Sequence, residues 1–177
     1  MDTEVYSNTG GQKSKSTPIG ASARFAVNGK ASGKKDLAMQ AIAHGSAYVG
    51  QIAMAANDTH AIRTIQEAEA FPGTSLIIAY SHCVAHGYDM MHAVNQQENA
   101  VKSGYWPLFR RNPLKPQGER FMVDSKELSM PVKDFLYKET RFSVLTRSNP
   151  EHAELLLAQA QMGVDSHWQR LLALKNL

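Results

Sequence analysis

The chain has 177 residues, 43% hydrophobic and 20% charged, with a formal net charge of +3 and one cysteine. That length carries one domain with a real core, and the small charge excess, spread over scattered Lys and Arg, excludes the basic patch of a nucleic-acid reader. No stretch approaches roughly eighteen uninterrupted apolar residues and no charged start leads into an apolar run, so neither a membrane span nor a signal peptide is read; a lone cysteine makes no internal disulfide and fits a reducing, cytoplasmic setting.

Residues 1–35 read as loop, rich in Gly, Ser and Thr, with basic residues at Lys13, Lys15, Arg24, Lys30, Lys34 and Lys35. Regular structure is predicted from "DLAMQAIAH" (36–44), a short helix capped by Asp36. "SAYVGQIAM" (46–54) reads as a buried strand. "DTHAIRTIQEAEAF" (58–71) carries Ala61, Ile62, Ile65, Ala68 and Phe71 at helical spacing, with Asp58 as cap and Pro72-Gly73 as stop. "TSLIIAY" (74–80) is the apolar run of a buried parallel strand, with Cys83 at its end. A helix follows over about 89–103, closed by Gly104. "YWPLFR" (105–110) reads as an edge or extended segment, since Pro107 cannot donate to a ladder. Residues 111–130 read as connection. "PVKDFLYKETRFSVL" (131–145) and "PEHAELLLAQAQMGVDSHWQRLLAL" (150–174) read as helices, the second with an apolar stripe through Leu156, Ala160, Val164, Leu171 and Leu174. Helix–strand alternation predicts an α/β fold with a mostly parallel sheet flanked by helices, a C-terminal helical extension, and ligands at loops that follow strand ends.

Two loops then carry candidate chemistry. In "DTEVYSNTGGQ" (2–12), Thr3, Tyr6, Ser7, Asn8 and Thr9 offer side-chain oxygens, and Gly10-Gly11 let backbone approach a ligand. Such a loop suits a diphosphate held directly or through Mg²⁺, which takes hard oxygen ligands; the same composition also makes a plain connection. In "SHCVAHG" (81–87), Cys83 reads either as a small buried thiol or as a reactive or ligating one. His82, Cys83 and His86 offer N/S ligands for Zn²⁺, but no fourth ligand stands at useful spacing, and His60 and His92 add none. Tyr105 and Trp106 read as packing residues, and "GKASGKK" (29–35) as a solvated basic loop, with an acidic electron carrier as the functional alternative.

The order "MDTEVYSNTGGQKSKSTPIGASARFAVNGKASGKKDLAM", "EAEAFPGTSLIIAYSHC", "AVKSGYWPLFRRNP" resembles the C-terminal thiamine diphosphate-binding domain of pyruvate:ferredoxin (flavodoxin) oxidoreductases, the single-chain 2-oxoacid oxidoreductases of anaerobic and nitrogen-fixing bacteria. The match runs over residues 1–146, weaker from 111 on; 147–177 would be a C-terminal helix. The resemblance implies that the Thr3 hydroxyl and the Val5 carbonyl ligate Mg²⁺. It places Asn8 beside the thiazolium and substrate, as the catalytic residue, and has Glu4, Tyr6 and Ser7 shape the same cofactor-binding loop. It makes Cys83 one ligand of a [4Fe–4S] cluster. It further implies pyruvate and coenzyme A as substrates, ferredoxin or flavodoxin as electron acceptor, and a homodimer of the complete enzyme.

The pattern is incomplete. The family's Gly-Asp-Gly motif, whose Asp ligates the same Mg²⁺, is absent from the chain, as are the other cluster cysteines. The expectation is therefore a piece of a longer enzyme beginning at an internal methionine. The alternative is a non-catalytic remnant, inactive as an isolated chain. A separate subunit of a multi-chain enzyme is disfavoured, since it would need its own Gly-Asp-Gly and cysteines.

Overall fold

The polar opening segment folds on itself before the main sheet begins. In the computed structural model, which describes residues 1–175, β1 (Val5–Tyr6) and β2 (Gln12–Lys13) pair antiparallel around a 3-10 turn at Ser7–Thr9. Gly10 and Gly11 close that turn at φ +100° and +83°, a left-handed backbone that glycine adopts without cost.

The main elements follow in an α/β order. Helix α1 (Leu37–His44) is capped as expected, the Met39 amide donating to Asp36 Oδ1 at 2.9 Å. Strand β3 (Tyr48–Ile52) is buried at every position. Helix α2 (Asp58–Ala70) is capped by Asn57, which accepts from the His60 amide, and not by Asp58; Asp58 is in the first turn, where its charge complements the helix dipole. Strand β4 (Ser75–Ala79) pairs parallel with β3. Helix α3 (Ala93–Lys102) is entered through a 3-10 turn at Met90–His92, so the segment expected over 89–103 is two pieces.

Strand β5 (Phe109–Arg111) pairs antiparallel with β3, and β6 (Phe121–Val123) antiparallel with β5. The sheet order is β4-β3-β5-β6. The architecture is α/β with flanking helices, but parallel only in its β3/β4 half. The connection 111–130 hides β6 because three residues in a polar surround make no periodic signal. Helices α4 (Val132–Leu136) and α5 (Thr140–Ser148) replace the single helix expected over 131–145. The break falls at Glu139, extended at φ −104° and ψ 127°, whose buried carboxylate is drawn to Arg141. Helix α6 (Pro150–Lys175) packs on α4, α5 and β6, and burial of Leu156, Ala160 and Leu171 bears out its apolar stripe.

The core lies between the sheet and the helices, with Val49, Tyr80, Trp106, Phe109, Phe135 and Leu171 almost fully buried. Gly50 lets α2 lie close on β3, since a Cβ there would collide with the Thr64 methyl. On β5, Arg110 joins Asp124 through two hydrogen bonds at 2.8 and 2.9 Å and reaches Glu67 of α2, fastening that helix to the strand. Among the described residues, no helix is long and apolar enough to cross a membrane.

Candidate functional site

The two loops singled out by the sequence meet at the carboxyl end of β4. The Asp2 amide donates to Ala79 O at 2.8 Å, and the Ser81 amide to Asp2 O at 3.0 Å, so the opening segment runs parallel beside the end of that strand. Cys83 follows directly and starts a 3-10 turn, Val84–His86, that closes on Gly87 in the left-handed region. The loops touch at two further points. His86 Nε2 is 2.9 Å from Thr3 O, and a Cβ on Gly11 would stand 3.1 Å from Ala85 Cβ. Burial, and then the nearby Arg141, pushes the His86 pKa down to about 4. The imidazole is therefore neutral at pH 7 and donates from Nε2 to the Thr3 carbonyl.

Within the opening loop, Thr3 Oγ1 donates to Val5 O across 2.9 Å. Two adjacent ligands of an octahedral Mg²⁺ at its usual bond length stand about 2.8–3.0 Å apart. The two oxygens thus already have the spacing of one octahedral edge. Tyr6, Ser7, Asn8 and Thr9 present exposed side chains on the turn that follows.

Glu4 faces the other way. Its side chain is fully buried: the Tyr105 hydroxyl donates to both carboxylate oxygens at 2.8 and 2.9 Å, Arg141 Nη2 stands at 2.7 Å and Lys34 Nζ at 3.2 Å. Burial drives the Glu4 carboxyl up, but Lys34, Arg141, His86 and the Tyr105 hydroxyl outweigh it and hold its pKa at about 2. Glu139, which shares Arg141, is pushed upward by burial. Of the loop residues named from the sequence, Glu4 thus makes no exposed contact surface.

A largely apolar cleft of about 530 Å³ also opens near this end, walled by Leu37, Leu76, Ile78, Trp106 and Val164, with Asp2 and Lys34 at its rim. Ser7, Asn8 and Thr9 do not line it. Its lining includes Asp2, Ser16 and Asp36 but, among the described residues, no group of three or more His, Cys, Asp or Glu side chains that could hold a metal, so the exposed oxygens of the opening loop carry the candidate chemistry.

No family model matches the chain. It is 50% identical over 172 residues to pyruvate-flavodoxin oxidoreductase of Rhodospirillum rubrum, and 46% identical over 163 residues to pyruvate:ferredoxin oxidoreductase of Moorella thermoacetica. The chain is homologous to a segment of the pyruvate-flavodoxin oxidoreductases. The Rhodospirillum alignment takes in 97% of the chain, which spans about 14% of that relative's length. A protein of Cryptosporidium parvum named pyruvate dehydrogenase (NADP+) is 45% identical over 185 residues.

Cys83 is half-buried, and among the described residues its sulfur accepts only a 3.5 Å contact, from the Ala85 amide. Among the described residues, no group of three or more His, Cys, Asp or Glu side chains forms a metal site. The histidines are dispersed: His60 pairs with Asp124 at 3.1 Å, His82 with Gln97 at 3.3 Å, and His92 is exposed. The basic stretch 29–35 is not a solvated loop throughout. Lys30 is buried with Nζ donating to Thr17 O at 2.6 Å and Gly33 O at 2.9 Å, and Lys34 reaches Asp2 at 2.6 Å. Tyr105 packs as expected but also donates to Glu4. Of the two carboxylates that Arg141 joins, Glu139 is two positions away, but Glu4 lies 137 positions away, where no local pattern reaches.

Proposed function

We propose that this segment supplies part of the Mg²⁺–thiamine diphosphate site of a pyruvate oxidoreductase. The observation that carries the reading is the Thr3 Oγ1–Val5 O pair at 2.9 Å, at the carboxyl end of a parallel strand pair. Thr3 and Val5 would hold the metal with hard oxygens, leaving its remaining positions to the diphosphate, to water and to an Asp outside the chain. When bound, thiamine diphosphate supplies the electron sink that 2-oxoacid decarboxylation requires. Asn8, exposed on the turn after Val5, would face the thiazolium and substrate with its amide, and Tyr6 and Ser7 would complete the loop surface. Residues 1–146 would be the C-terminal part of the cofactor-binding domain, with 147–177 its closing helix.

Cys83 would give one thiolate to a [4Fe–4S] cluster. Such a cluster takes about four, so the others belong to parts of the enzyme outside this chain. The complete homodimeric, cytoplasmic enzyme would convert pyruvate and coenzyme A to acetyl-CoA and CO₂, passing electrons through its clusters to flavodoxin or ferredoxin. The identity to relatives named for pyruvate, flavodoxin and ferredoxin supports these assignments. By itself the chain would be inactive, having one cysteine and no Gly-Asp-Gly.

The test is Thr3→Val in the complete oxidoreductase that carries this segment. Valine keeps the shape and removes the hydroxyl. The affinity for Mg²⁺–thiamine diphosphate is expected to fall on the order of tenfold or more, read by calorimetric titration. Unchanged affinity removes Thr3 from the site.

A further inference from the structure

Glu4 is a non-glycine residue at φ +60°. This left-handed conformation is uncommon for a residue with a side chain and persists only where its surroundings fix it. Here every neighbouring peptide group is held. The Glu4 amide donates to Asp2 Oδ1 at 2.9 Å, Thr17 Oγ1 donates to Glu4 O at 2.5 Å, and His86 holds Thr3 O. The side chain is anchored from three distant parts of the chain by Lys34, Tyr105 and Arg141. The consequence is geometric. The left-handed residue turns its own carboxylate into the interior while the residues on either side bring Thr3 Oγ1 and Val5 O to 2.9 Å.

We propose that Glu4 is the positioning residue of the metal site: its buried carboxylate, clamped by Arg141, Tyr105 and Lys34, holds the backbone turn that sets the Thr3 and Val5 oxygens one octahedral edge apart. This rests on the reading of Thr3 and Val5 as Mg²⁺ ligands. Glu4 touches neither metal nor cofactor. It acts through the two residues that flank it, and the aromatic and cationic groups around it serve the same geometry. Glutamine in its place has nearly the same shape but turns an amide N–H₂ toward the donors of Arg141 and Lys34. The clamp then loosens at the turn without removing a ligand atom.

The experiment compares four variants of the complete oxidoreductase that carries this segment by Mg²⁺ titration at saturating thiamine diphosphate, alongside the melting temperature of each apo form. Glu4→Gln is expected to weaken Mg²⁺ binding about tenfold, as loss of an outer partner does at other metal sites. Tyr105→Phe removes one donor and keeps the ring packed on Phe135, 4.6 Å away, so it weakens binding less, in the same direction. It also serves should Glu4→Gln fail to fold. Glu139→Gln disturbs the same Arg141 from outside the loop, so it lowers the melting temperature and leaves the Mg²⁺ affinity as in the parent. Thr3→Val reports separately on the underlying reading. If Thr3→Val weakens binding while Tyr105→Phe and any folded Glu4→Gln bind as the parent does, the positioning role is overturned and the metal site stands. Weakening by Glu139→Gln equal to that by Glu4→Gln also overturns it, since the effect would then be general to the core. If Thr3→Val itself binds as the parent does, the metal reading falls and the inference with it.

Discussion

Cys83 has a sulfur that the fold leaves largely uncommitted. It is half-buried, it accepts one long contact, and it stands at the start of a turn fixed at its other end by Gly87, whose carbonyl accepts from the Thr140 amide at 3.0 Å. A thiol so placed fits the proposed role of cluster ligand. In the complete enzyme, Cys83→Ala is expected to lower bound iron by about one cluster and to slow reduction of the electron acceptor, with thiamine diphosphate affinity unchanged. Parent-level iron content and acceptor reduction would contradict the assignment. The placement of Cys83 and Thr3 in loops was legible because it rests on local pattern, Cys83 following a short apolar strand and Thr3 lying in a polar opening segment. Lys30 and Lys34 were not. A lysine buried on backbone carbonyls and one paired to Asp2 look, in sequence, like any solvated basic pair.

The same contrast holds for whole elements. Helix α1 was legible because its cap and its glycine stop are local, and β3 and β4 because they are short apolar runs. The helix expected over 131–145 breaks at Glu139, whose buried carboxylate accepts from Gln96 of α3 at 3.0 Å as well as from Arg141, and β6 exists only through its pairing with β5. The contact between the opening loop and the Cys83 turn is of this long-range kind, and it carries a pH signature. His86 is buried, faced by Arg141, Glu4, His82, Tyr80 and Tyr88, and its pKa is lowered from 6.5 to about 4 by burial first and Arg141 second. Below pH 6.5 the unfolded chain binds a proton that the folded chain refuses. Stability therefore falls as pH drops from 6.5 toward 4, by up to about 3 kcal/mol from this group. Glu4 adds a loss at lower pH, since its contribution is complete above 4.5 and disappears as pH falls through about 2. Denaturant melts at stepped pH should show a steeper fall between 6.5 and 4 for the parent than for His86→Gln. Equal slopes would mean that the two loops are not joined through a neutral imidazole.

At the scale of the molecule, a mixed sheet brings two separated loops to one end, and a charged cluster buried behind them fixes their shape. Both loops were singled out from the sequence, and their convergence follows from the parallel half of the sheet. The buried cluster was not, since it joins residues 4, 34, 105 and 141 across the fold. The central claim is that Thr3 and Val5 face a metal. The most direct measurement is a crystal structure of the complete oxidoreductase with Mn²⁺ in place of Mg²⁺, located by its anomalous scattering. The account predicts a metal about 2.0–2.3 Å from both Thr3 Oγ1 and Val5 O, with diphosphate oxygens among its other ligands. A metal bound to the diphosphate with neither oxygen in its coordination sphere would contradict it.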